Sequence, residues 1–273
     1  MTEAVPVTST ENQEAEVVPL ELVHELGKAG TELAVADGDV SSAISHQEML
    51  DSSELDAGEQ AYVDQALANL RATSRTAGGV VDTSASATKQ ESMVGGMSSE
   101  QVADTAVENF TEAIGVLFEH RGEMFESPED LRGFVEAVAA QINGGIVKEG
   151  MLIRSGADSL KYAYTKVAEL DSAMEEFYST FLDRLNDPNT DPVELAGWVE
   201  YRIDLTDHFF ADGCGKSAKA LSAWVLMRAG HDLPTYRGRD ELYANAPSTI
   251  RTEGSEVVDK EMNAWLDYYK TLF

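Results

Sequence analysis

Two helix-start signals in the second half of the chain constrain its class most strongly. Ser127-Pro128-Glu129-Asp130 offers a capping serine, a proline suited to the first turn, and two acids for the positive helix end. Asp191-Pro192-Val193-Glu194 repeats the device with aspartate as the cap. Behind each runs an apolar stripe at helical spacing. Leu131, Phe134, Val138 and Ile142 follow the first and stop at Gly144-Gly145. Leu195, Trp198, Val199, Arg202, Ile203 and Thr206 follow the second and stop near His208. The same period marks Tyr62, Val63, Ala66, Leu67 and Leu70, which predicts a helix over about 57–75. It recurs over 99–119 through Val102, Ala106, Phe110, Ile114 and Phe118, and again from Leu170 to Leu185. A further helix is expected from about Gly215 to Arg228, with Gly230 as its stop and Pro234 barring continuation. The exception is 151–167, where Leu160, Tyr162 and Tyr164 alternate with Lys161 and Ala163. That period of two predicts a short β-hairpin in an otherwise mainly α protein.

The ends of the chain differ. Residues 1–60 hold fourteen acids and a single lysine, Lys28. The first 17 residues are polar and acidic and are expected to be disordered. A helical region is expected over 18–75, with Leu22, Val23 and Leu26 on one face, and a Ser/Thr/Gly/Ala-rich linker or flexible loop over 76–100. The remainder, 101–273, reads as one domain. A net charge of −29 repels phosphate backbones and anionic lipid, so neither nucleic acid nor membrane is an expected partner. It suits a salty cytoplasm or a basic partner protein. One cysteine, Cys214, excludes an intramolecular disulfide and a cysteine-based zinc site, and points to a reducing compartment. The amino terminus lacks the basic and apolar regions of a secretory signal, and no apolar run spans a bilayer. A cytoplasmic protein is expected; export by a specialised secretion system would leave no such mark.

Within this acidic chain, DHFFADGCGKSAKALSAW (207–224) sets lysines at a helix start, just behind a glycine turn. A helix N-terminus presents N–H groups and a partial positive charge. Gly213 and Gly215 allow the backbone to approach a ligand, and the two together predict an anion pocket suited to phosphates. Lys216 and Lys219, three apart, reinforce it. Asp212 is placed to hold Mg²⁺ against the same phosphates, and His208, four residues earlier, to take a proton from an attacking hydroxyl. Gly215-Lys216-Ser217 also matches the tail of a P-loop, but the first glycine of that motif falls on Phe210, and a helix precedes the loop where a strand should.

HFFADGCGKSAK (208–219) resembles the signature of Fic-domain proteins, H-P-F-x-[DE]-G-N-G-R-x-x-R, at His208, Phe210, Asp212, Gly213 and Gly215. Lys216 and Lys219 stand for its two arginines. DPVELAGWVEYRIDLT resembles the helix that delivers the histidine, and 151–167 falls where Fic proteins carry a flap. The resemblance covers roughly 100–235. It implies a Fic-like helical bundle with a short β-hairpin flap, to which this chain adds an acidic N-terminal helical extension. It also implies transfer of AMP or another nucleotidyl group, with ATP as the donor and Mg²⁺ as cofactor, to a hydroxyl of a protein or small acceptor. His208 would be the general base and Asp212 the metal ligand. The amides of Gly213, Cys214, Gly215 and Lys216 would hold the α-phosphate, and Lys216 would contact the outer phosphates. Lys161, Tyr162 and Tyr164 of the flap would hold the target segment. Fic proteins are often silenced by [ST]-x-x-x-E-[GN]; Thr249 to Gly254 fits, and Glu253 would then pair with Lys219. Three positions depart from the signature: Phe209 for proline, Cys214 for asparagine, which removes an amide donor, and Lys216 for arginine, which replaces a fork by a point charge. They leave open a different donor, as in Fic relatives that transfer UMP, phosphocholine or a phosphoryl group, and a non-catalytic acidic adaptor.

Overall fold

A computed structural model of the protein describes residues 57–73, 92–156, 164–246 and 259–273. The first two expected helices lie at Ala57–Thr73 (α1) and Ser99–Glu119 (α2). Ser98 caps α2 in a reciprocal box: its hydroxyl accepts from the Gln101 amide at 3.2 Å, and the Gln101 side chain accepts from the Ser98 amide at 2.8 Å. The two proline-marked starts behave as their chemistry dictates. Ser127 accepts from the Asp130 amide at 3.1 Å to open Pro128–Ile142 (α3). After Leu170–Asn186 (α4), Asp191 accepts from the Val193 amide at 2.9 Å to open Pro192–Glu200 (α5). Each such cap contributes about 1 kcal/mol. Beyond α5 the helix widens into a π-turn, Tyr201–Thr206. Cys214–Arg228 (α6) ends as Gly230 predicts: with φ of 69°, it donates to Met227 at 3.1 Å while His231 donates to Leu226 at 3.0 Å. Arg239–Asn245 (α7) and Asp259–Lys270 (α8) complete the described helices.

α6 is buried around its whole circumference, from Ala218 through Leu221 and Trp224 to Met227, which marks it as the central helix. α1, α2, α3 and α5 all pack on it, and α8 covers α5. Gly197 makes the second crossing tight: a Cβ there would meet the Tyr269 ring at 2.9 Å, and Trp265 donates to the Gly197 carbonyl at 2.8 Å. Trp198 stacks on Phe177 at 5.1 Å, and Phe134 tilts against Trp224 at 5.1 Å. The described part of the region expected over 18–75 is α1, and it is not set apart. Val63, Ala66 and Leu70 belong to the same core, and Asn69 donates to the Pro234 carbonyl at 2.7 Å. Of the linker expected over 76–100, residues 92–94 lie along 146–148, with Lys148 donating to Ser92 at 2.8 Å.

The fold is mainly α, as expected, but the short β-hairpin is not seen. Among the described residues there is no strand, only two isolated antiparallel bridges, Met93 with Val147 and Ile153 with Phe210. Residues 157–163, with Lys161 and Tyr162, lie outside the described part, as do 247–258 with Glu253. The flanks of the expected hairpin run along the loop after α5. Ala211 donates to Leu152 at 2.8 Å, Arg154 to Phe209 at 2.8 Å, and Thr165 to Thr206 at 3.1 Å. The described flanks, at Leu152, Arg154 and Thr165, thus bond to the backbone around His208. Among the described residues, no helix is long and apolar enough to cross a membrane.

Candidate active site

The site is built where the π-turn ends and α6 begins. Asp207 donates to the Arg202 carbonyl at 2.9 Å, five residues back, so the last turn is widened by one residue before the helix stops. Such π-turns recur at functional sites because they re-aim the residues that follow. His208 then takes a left-handed backbone, φ 54°, and among the described residues no other non-glycine residue has a positive φ. Its Nδ1 lies 3.1 Å from the Asp204 carbonyl. A carbonyl only accepts, so Nδ1 is the donor; in the neutral tautomer that makes this bond the acceptor nitrogen of the ring is Nε2. Tyr164 stacks on the imidazole, centroids 4.1 Å apart and planes within 7°, which fixes the ring plane. Of the three expected flap residues, Tyr164 is therefore beside the catalytic candidate.

The turn from His208 to α6 is closed by Cys214. Its thiol lies 3.3 Å from both the amide and the carbonyl of Phe210, so the side chain that replaces asparagine ties the loop to itself. Gly213, φ 71°, is the N-cap of α6. The amides of 214–216 precede the first intrahelical bond, which Ser217 makes to the Gly213 carbonyl at 2.8 Å. Asp212 and Lys216 face each other across this turn at 3.6 Å, and both are largely buried. The carboxylate and the first lysine are thus together at the mouth of the amide nest.

Lys219 is placed differently. It lies 3.4 Å from Glu200 and 4.8 Å from the centroid of the Tyr236 ring. The Tyr236 hydroxyl donates to the other oxygen of Glu200 at 2.5 Å. All three side chains are buried. Burial, with the Glu200 charge beside it, holds the Tyr236 hydroxyl well above its ordinary pKa. A second, half-buried acid that sequence reasoning missed, Asp204, underlies the loop: its carboxylate would meet a Cβ on Gly215 at 3.1 Å. Burial pushes its pKa up, and Lys219 and Arg239 oppose the shift. Glu200, Asp204 and His208 are spaced four apart, a helical signal that was present in the sequence.

Asn143, which follows α3, packs its side-chain oxygen into the space beside Gly213; a Cβ on Gly213 would stand 2.2 Å from it. The amide of Asn143 is anchored by its donation to the Ala139 carbonyl at 2.8 Å, so it cannot simply swing aside. Gly213→Ala is therefore expected to be strained twice, by the left-handed backbone and by this collision. Together they cost about 2–4 kcal/mol. Thermal unfolding of Gly213→Ala beside Gly133→Ala, whose Cβ would meet nothing within 4 Å, measures the difference.

Comparison with solved structures identifies the architecture: the chain has the fold of Fic domains. A Fic domain containing signaling protein from Bacteroides thetaiotaomicron VPI-5482 matches with a TM-score of 0.55 at 14% identity, over 83% of this chain and 90% of that one. IbpA Fic2, in a structure where it is covalently tethered to Cdc42, matches with a TM-score of 0.52 at 17% identity, over 83% of this chain and 67% of that one. At these identities the likeness is one of fold. No protein-family model and no curated protein sequence matches the chain.

Proposed function

We propose that the protein is a Fic-type transferase that moves a nucleotidyl group, AMP from ATP in the first instance, onto a hydroxyl of a protein acceptor. The observation that carries this reading is the orientation of His208. Its Nδ1 proton is committed to a backbone carbonyl, so Nε2 is a base, and it stands at the entrance to a glycine turn capped by the N-terminus of α6. In the proposed step the acceptor oxygen attacks the α-phosphorus, its proton passes to Nε2, and the bond from that phosphorus to the β-phosphate oxygen breaks to release pyrophosphate. The amides of 213–216 face the charge that builds on the α-phosphate, and Lys216 the outer phosphates. The tethering of IbpA Fic2 to Cdc42 supports a protein as acceptor.

Asp212 is the residue that would hold Mg²⁺. It is a single carboxylate, and among the described residues no group of three or more His, Cys, Asp or Glu side chains is placed to hold a metal ion. That donor set fits an ion that arrives with its nucleotide, since Mg²⁺ commonly takes one or two carboxylates and completes its shell with phosphates and water. When bound it would neutralise charge on the leaving phosphates. Incubation with a panel of labelled nucleotides, with and without Mg²⁺, followed by intact-mass measurement of the products, tests the proposal. A mass increment equal to one nucleotide monophosphate on an acceptor is the expected result. Nucleotide binding without any transfer would mark the protein as an adaptor.

A further inference from the structure

Four consecutive carbonyls, from Thr206 to Phe209, emerge where the π-turn breaks off and have no helical amide ahead of them to accept from. A helix end of this kind must find its donors elsewhere. Here they come from one side, the 151–166 segment. The Thr165 amide donates to Thr206 at 3.1 Å. The other three are taken by a single residue. Arg154 donates its backbone amide to Phe209 at 2.8 Å, its Nε to His208 at 2.9 Å, and an Nη to Asp207 at 3.2 Å. The same guanidinium nitrogen also donates to the Thr165 carbonyl, which ties the two flanks of the 157–163 segment to one point. On the far side, Asp207 is held by Thr165 Oγ1 at 2.6 Å and by Arg202 at 2.6 Å, and Arg202 reaches on to Glu176 at 2.6 Å.

These contacts surround the one left-handed non-glycine residue of the described chain. Such a conformation persists only when its surroundings over-determine it. Resting on the reading of His208 as general base, we propose that Arg154 is a positioning residue for that base: its fork caps the carbonyls on both sides of the His208 Cα and holds the backbone in the turn that presents Nε2 to the phosphate site. Lysine cannot take its place. A lysine is a point donor on a flexible stem, whereas the guanidinium offers several N–H groups fixed in one plane. The acceptors are neutral carbonyls, so the positive charge is not what they select. The planar fork is.

The test uses the full-length protein with isotope-labelled histidine, as wild type, Arg154→Ala and Arg154→Lys. The histidines number five, so the His208 ring signal is assigned by its loss in His208→Ala. The expected result is that Arg154→Ala shifts or broadens the His208 ring signal and lowers kcat on the order of 10²-fold with KM for the nucleotide little changed. Added guanidinium ion should restore both in Arg154→Ala, and Arg154→Lys should remain as impaired as the alanine variant. An unmoved His208 signal in folded Arg154→Ala would overturn the proposal. So would activity lost only in proportion to the unfolded fraction, or full rescue by lysine. If the wild type transfers no nucleotide at all, the transferase reading fails, and the ring signal and its guanidinium rescue still decide whether Arg154 sets the conformation of His208.

Discussion

His208→Ala is expected to retain nucleotide binding and to lose transfer by about 10²–10⁴-fold, the range that a positioned general base contributes. The two halves separate because the groups proposed to meet phosphate, the amides of 213–216 and Lys216, lie beyond His208 in the chain and are anchored by α6. The substitution carries one complication. Alanine tolerates the left-handed backbone of position 208 less well than histidine or asparagine does. His208→Asn is therefore the companion variant: it suits that backbone, lacks a base, and should be equally inactive while unfolding closer to the wild-type temperature. Steady-state transfer rates, nucleotide titration and thermal unfolding on both variants check the expectation. Retained transfer in folded His208→Asn would remove the base from the mechanism.

Lys219→Ala is expected to act mainly on stability. The lysine is 7% exposed and its partner Glu200 only 3%, so removing the cation strands a buried carboxylate. Breaking such a pair costs about 3–5 kcal/mol. For a domain of this size that corresponds to a fall in Tm of roughly 6–20 °C. The double variant Glu200→Gln/Lys219→Met should recover much of the loss, because it removes both charges and keeps an acceptor for the Tyr236 hydroxyl. A phosphate contact at Lys219 gives the opposite pattern, with weakened nucleotide binding and an unchanged Tm. Differential scanning calorimetry with nucleotide titration separates the two.

The two lysines show what the sequence could and could not carry. Both sit on the first turns of α6 and read alike as cations near an anion site. Only three dimensions distinguish them: Lys216 stays within its own turn beside Asp212, while Lys219 reaches Glu200, nineteen residues earlier on another helix. Local chemistry was legible throughout. The caps at Ser127 and Asp191, the glycine stop at Gly230 and the turn at 213–215 each depend on neighbours within a few residues, and each is found as expected. α8 was not among the expected helices, although Met262, Trp265, Leu266 and Tyr269 have helical spacing, and its site over Gly197 left no mark in the sequence. Arg154 left no signal at all. Its partner carbonyls around His208 lie more than fifty residues away, and a backbone carbonyl has no identity in a sequence. The alternation from Leu160 to Tyr164 predicted a hairpin, but 157–163 lie outside the described residues, and the described flanks at 152–154 and 165 bond to the loop that carries His208.

A crystal structure of the protein with Mg²⁺ and a non-hydrolysable ATP analogue decides whether the turn before α6 is a phosphate site. The α-phosphate should rest on the amides of 213–216 at hydrogen-bonding distance, about 2.7–3.2 Å. The Mg²⁺ should lie on Asp212, and His208 Nε2 should face the side of the phosphorus opposite the leaving group. A nucleotide bound elsewhere, with Lys216 still on Asp212 and the turn unoccupied, would contradict it.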